Sequence, residues 1–165
     1  MLIPIKGIDK AYTERGDDLL RVVRDIIAQE PKRGYMGEPV VREDTRNHHL
    51  ACPKDYADGD ALKLKILKLT LPPCGTVGCI AGWTDIAISG GYDAGEFYPD
   101  YPQGWGTIQR RASSALNLTY DEKERLFYVQ NWCEPFKSRY LNAKRQSTLG
   151  KVIVDRIDYF LKHRK

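Results

Sequence analysis

The apolar positions of the chain form five helical stripes, one alternating stretch and two long tracts without a period. Leu19, Val22, Val23, Ile26 and Ile27 recur at helical spacing, with Arg21 and Arg24 outside the stripe. This predicts an amphipathic helix capped by Asp17 or Asp18 and ended at Glu30-Pro31. After Pro72-Pro73, the positions Val77, Ile80, Ala81, Thr84, Ala87 and Ile88 predict a second helix capped by Thr76. It is apolar nearly all round, with Ile86 on a further face, so it is expected to be buried with other elements packed around it. Gly78 and Gly82 lie four apart on it and invite close approach of a neighbouring backbone; Cys79 and Trp83 form a second pair at that spacing.

Leu62, Leu64 and Ile66 alternate with Lys63 and Lys65, then the phase slips to Leu67, Leu69 and Leu71. Period two predicts a strand with a bulge, and Val40-Val41 is the natural partner for a small hairpin. From Lys32 to Asp60 the pattern otherwise breaks down around Gly34, Gly37, Pro39, Pro53 and Gly59. Further on, Thr107 caps a predicted helix through Ile108, Ala112, Ala115 and Leu116, with Arg110 and Arg111 exposed and Asn117-Leu118 as its break. Thr119 and Glu122 have the spacing of a capping box, followed by Leu126, Phe127 and Val129 turned inward. Pro135 starts a short helix toward Tyr140, and Leu149, Val152, Ile153, Ile157, Phe160 and Leu161 mark a last amphipathic helix. The expected fold is mainly α: a single-domain helical bundle over 1–165 around a buried central helix, with a small β-hairpin. Residues 1–16 form a lead-in and 32–60 a long loop region.

Length and composition fit one globular domain. No apolar run reaches the ~20 residues of a membrane span, and Pro4, Lys6 and Asp9 interrupt what a signal peptide would keep apolar. A cytoplasmic protein with reduced thiols is expected, so the even count of four cysteines need not mean disulfides. From Glu134 onward nine Lys and Arg face three acids, a surplus of six in a chain whose net charge is +4. Such a basic third either forms a solvated face or meets an acidic partner or nucleic acid.

Cys74-Gly75-Thr76-Val77-Gly78-Cys79-Ile80-Ala81-Gly82-Trp83, followed by Leu116-Asn117-Leu118-Thr119, Leu126-Phe127 and Trp132, resembles a family of small, uncharacterised phage and bacterial proteins. These carry a Cys-Gly-Thr-x-x-Cys-Ile-Ala-Gly-Trp signature and then a helix pair with Gly where this chain has Asn117. The resemblance runs from about Cys74 to Trp132 and implies a phage or prophage origin in a host cytosol; it implies no reaction.

The candidate chemistry is sparse. Cys74 ahead of a helix start, with His48 or His49 as base, has the parts of a thiol nucleophile, yet the papain pattern places Cys and Trp side by side. His48 or His49 with Cys52, Cys74 and Cys79 could supply a three-cysteine, one-histidine zinc set, although cysteines beside an apolar helix are more often small core residues. Asp17-Asp18, Glu43-Asp44 and Asp121-Glu122 are explained by capping, and Gly-Thr-Val-Gly lacks the lysine and spacing of a phosphate loop. The turn-rich stretch Gly90–Gly106 holds Tyr92, Phe97, Tyr98, Tyr101 and Trp105, which either anchor a partner or cover the core. Trp83 is expected in the core and Trp132 in the core or in a contact.

The reading is therefore a binding protein without catalytic residues or cofactor, acting on a host protein or ribonucleoprotein such as a component of an antiviral defence system, for example a CRISPR effector. Its contact residues are expected among Tyr92, Phe97, Tyr98, Tyr101, Trp105, Arg110, Arg111, Lys137, Arg139, Lys144 and Arg145. Two alternatives stand beside it. One is nucleic-acid binding, with Lys137, Arg139, Lys144, Arg145, Lys151 and Arg156 on phosphates. The other is a sponge or enzyme for a small nucleotide, with Tyr98, Tyr101 or Trp105 stacked on the base.

Overall fold

A computed structural model describes residues 2–3, 8, 10–36, 40–42, 76–93 and 103–164; for 2–3, 40–42, 76–77, 92–93 and 103–105 it describes the backbone alone. The described chain is mainly helical. Helix α1 (Gly16–Gln29) leads into a 3-10 turn (Pro31–Arg33), and α2 (Ile80–Ser89) precedes α3 (Gln103–Ala115). Helices α4 (Tyr120–Phe127), α5 (Phe136–Leu141) and α6 (Gln146–His163) complete the set.

The amphipathic stripes form close to where the periodicity predicts, although in α1 Leu20 is fully buried and Val22 only partly so. Leu19, Leu20, Val23, Ile26 and Ile27 of α1 are buried against Leu149, Val152, Ile153 and Ile157 of α6 and the apolar side chains of α2 in one core. Asp17 and Asp18 occupy the first turn of α1; the cap position is Arg15, whose side chain makes no capping bond. The Thr119 box is present in both directions: the Glu122 N–H donates to Thr119 Oγ1 at 3.3 Å and the Thr119 N–H to Glu122 Oε2 at 2.8 Å.

Helix α2 is buried from Ile80 to Ala87. Its start differs from the sequence expectation. Thr76–Gly78 is strand β3, and the helix begins at Ile80 with Cys79 as its cap, the Gly82 N–H donating to Cys79 Sγ at 3.3 Å. Thr76 is thus no cap. Gly78 contributes its close approach in a strand, pairing with Val40 and accepting the Tyr35 N–H at 2.9 Å.

Strand β2 (Val40–Arg42) runs antiparallel to β3 with Val41 opposite Val77. The hairpin expected between Val40-Val41 and 62–71 is therefore not supported: the partner of Val40-Val41 lies at 76–78, and 62–71 falls outside the described residues. A second antiparallel pair joins β1 (Leu2–Ile3) to β4 (Tyr92–Asp93), so the lead-in takes part in the fold. Within 32–36 the chain is ordered and packed inward: Tyr35 and Met36 are buried, and the Met36 N–H donates to the Tyr140 hydroxyl at 2.8 Å. Helix α3 starts at Gln103, so Thr107 lies within it and Trp105 is helical rather than part of a loop.

Asn117 has a φ of 52° and ends α3 in the left-handed conformation. The Leu118 N–H returns to the Ser113 carbonyl at 2.9 Å and the Asn117 N–H to Ser114 at 3.1 Å, the paired bonds of a Schellman ending. Asn tolerates this conformation better than other residues with a Cβ, so it can stand where a glycine would otherwise serve.

Candidate functional site

Described side chains line an open cleft of about 550 Å3 between α4, the segment around Asn131–Cys133 and the C-terminal half of α6. Its position follows from three local decisions of the chain. The Thr119 box fixes the start of α4, the Leu126 carbonyl holds the Trp132 indole N–H at 3.1 Å after that helix ends, and the long stripe of α6 carries its last turns past both.

At the floor lies Arg156, 4 % exposed although it carries a full charge. Its Nη2 donates to the Arg125 carbonyl at 2.8 Å, while Nε and Nη1 are buried without a hydrogen-bond partner. No carboxylate pairs with it among the described residues. Four rings surround the guanidinium, Trp132 at 5.9 Å, Phe136 at 6.0 Å, Tyr159 at 5.8 Å and Phe160 at 5.8 Å, all near the outer limit of a cation–π contact. Burial pulls this guanidinium below its usual range, yet an arginine keeps its proton at any physiological pH.

One wall is a clasp made by Arg164. Its guanidinium donates to Asp17, to both Glu122 oxygens and to the carbonyls of Leu116 and Asn117, tying the end of α6 to α1, α4 and the end of α3. Burial alone would raise the Glu122 carboxyl, but the Thr119 N–H and Arg164 outweigh it and hold Glu122 below the usual carboxylate range. The rim carries exposed Arg125 and Cys133, and Tyr159 stacks on His163 with centroids 4.0 Å apart. The His163 Nδ1 lies 2.8 Å from the Tyr159 carbonyl.

Of the residues expected from sequence to form the partner contact, none whose side chain is described lines this cleft. Phe97, Tyr98 and Tyr101 lie outside the described residues, and the side chains of Tyr92 and Trp105 do as well. Arg110 is exposed on α3 as expected. Arg111 is not: it forks onto the buried Asp85 of α2 through bonds of 2.7 and 2.6 Å. Lys137 donates to the Gln130 carbonyl at 3.0 Å, Arg139 pairs with Asp155 at 2.7 Å, and Lys144 and Arg145 are exposed ahead of α6. Of the metal candidates His48, His49, Cys52 and Cys74 lie outside the described residues, and Cys79 is fully buried at the start of α2. Among the described residues no group of His, Cys, Asp and Glu is arranged to hold a metal ion.

Trp83 and Trp132 both belong to the core, the first donating its indole N–H to the Arg33 carbonyl at 2.8 Å. No helix of the described residues is long and apolar enough to cross a membrane. Compared with family models, curated proteins and solved structures, the chain finds no match.

Proposed function

We propose that the protein works by binding a macromolecule of its host cell, a protein or ribonucleoprotein, and that the cleft between α4 and α6 is its contact site. The observation that carries this reading is the cleft itself, which joins a buried charge, an exposed aromatic rim at Tyr159 and an exposed cation at Arg125. Aromatic and arginine side chains at the centre of a concave surface are the usual anchors of protein recognition. The resemblance of the Cys74–Trp83 signature to phage proteins supports a narrower form, in which the partner is part of a bacterial antiviral system such as a CRISPR effector.

Nucleic-acid binding by the basic C-terminal third has less support. Of the six residues such a face would use, Arg139 is paired with Asp155 and Arg156 is buried. Lys144, Arg145 and Lys151 are the exposed cations left for phosphate contacts.

Affinity capture from bacterial lysate with the intact chain and a Tyr159→Ala, Arg125→Glu double variant tests the proposal. The expected result is a stable partner retained by the intact chain and lost by the variant. Equal capture by both would remove the cleft as the contact site.

A further inference from the structure

The unmet hydrogen-bonding capacity of Arg156 narrows what this cleft receives. A guanidinium has five N–H donors and no means of becoming neutral in a protein. Here one backbone carbonyl accepts from it, two of its nitrogens are buried without a partner, and no anion of the described residues faces it. An uncompensated buried charge is costly, because neither water nor a counter-charge replaces the lost hydration. The neighbouring carboxylates relieve none of this, since Asp17 and Glu122 are engaged by Arg164.

We infer that the cleft is an anion site in which Arg156 receives a single carboxylate, presented by an acidic side chain or chain end of the protein partner. The charge around the site favours one negative charge over two. Apart from the Arg164 clasp, the lining brings Arg125 and Arg156 against Asp121, a surplus of one positive charge. Apolar lining from Tyr159 and Phe160 suits a carboxylate carried on an apolar stem better than a strongly hydrated phosphate dianion.

Access follows from the exposure of the four rings. Trp132, Phe136 and Phe160 are 4 %, 8 % and 7 % exposed and fixed in the core, whereas Tyr159 is 39 % exposed. Tyr159 is thus the exposed ring beside the guanidinium, stacked on His163 at the cleft rim.

The inference rests on the binding reading above, and its test separates the two. Phenylacetate, phenylacetamide and inorganic phosphate are titrated into the intact chain while the Arg156 Nε–H resonance is followed by NMR. Phenylacetate should shift that resonance saturably, and phenylacetamide, of the same shape without the charge, should not. Arg156→Met, which keeps an apolar stem of similar length, should weaken phenylacetate binding at least about tenfold, as expected for loss of a charge-assisted hydrogen bond. Should that variant fail to fold, the phenylacetate–phenylacetamide contrast on the intact chain still decides. A response shared by the amide, no saturation, or a stronger response to phosphate would overturn the carboxylate assignment. Partner capture unaffected by Arg156→Met would overturn it too, while leaving the protein a binding module.

Discussion

Two glycines, Gly34 and Gly150, set how closely the 3-10 turn (Pro31–Arg33) and the last helix can approach. A Cβ on Gly150 would stand 1.8 Å from the Pro31 carbonyl oxygen, and one on Gly34 would stand 2.7 Å from the Gly150 Cα. Backbone cannot yield there without moving α6 off the 3-10 turn. Gly150→Ala should therefore destabilise the protein by about 3 kcal/mol or more in urea unfolding, at the upper end of overpacking costs. Gly106→Ala supplies the contrast: it lies in α3 with nothing within 4 Å of the added atom. It should gain about 0.5–1 kcal/mol from the lower helical cost of alanine. Equal effects at both sites would refute this account of Gly150. The sequence pointed instead to Gly78 and Gly82, because spacing of four on an assumed helix looks like a groove. Gly34 and Gly150 stand far apart in sequence, and no local period marks their contact. Asn117 is legible from sequence as a helix break, and the structure adds that it ends the helix in the left-handed conformation.

At the scale of elements, period carried as far as hydrogen bonds stay local. Helices α1, α4 and α6 are legible because their apolar stripes and, in α4, the cap are written within a few turns of each other. Thr76–Gly78 was misread because the bonds that make it a strand come from Val40–Arg42, beyond any helical window. The Asp85–Arg111 fork has a local sign in the sequence, as a lone carboxylate in a helix buried from Ile80 to Ala87 requires a cation. The α4 box yields a pH prediction. Glu122 ionises below its ordinary 4.5 when folded, so the stability it contributes is whole above about pH 4.5 and is lost as pH falls through the lower folded value. Glu122→Gln should cost about 1.5–3 kcal/mol at pH 7, as for a hydrogen bond to a charged group. It should also flatten the fall in stability below pH 4.5 in urea titrations. A variant with an unchanged acid limb would show that Glu122 plays no such part.

For the whole molecule, the sequence conveyed a mostly helical protein but not where its charges would meet. The basic surplus of the C-terminal third reads as one face along the chain, yet folding distributes it among Asp155, the Glu122 clasp and an aromatic floor. Arg156 sits between the apolar Ile153 and Ile157 of the last stripe, and only the arrival of Trp132 and Phe136 from outside that helix turns it into the floor of a cleft. A site assembled from separated segments leaves no motif, which is why the sequence named aromatic loops and surface cations instead. The claim that this cleft is the working surface is tested most directly by photocrosslinking in bacterial lysate. Photoreactive benzoylphenylalanine is placed at Tyr159, on the cleft rim, and separately at Leu141, which is 50 % exposed outside the cleft lining. The account predicts one discrete adduct from the Tyr159 position and none from Leu141; an adduct from Leu141 alone would contradict it.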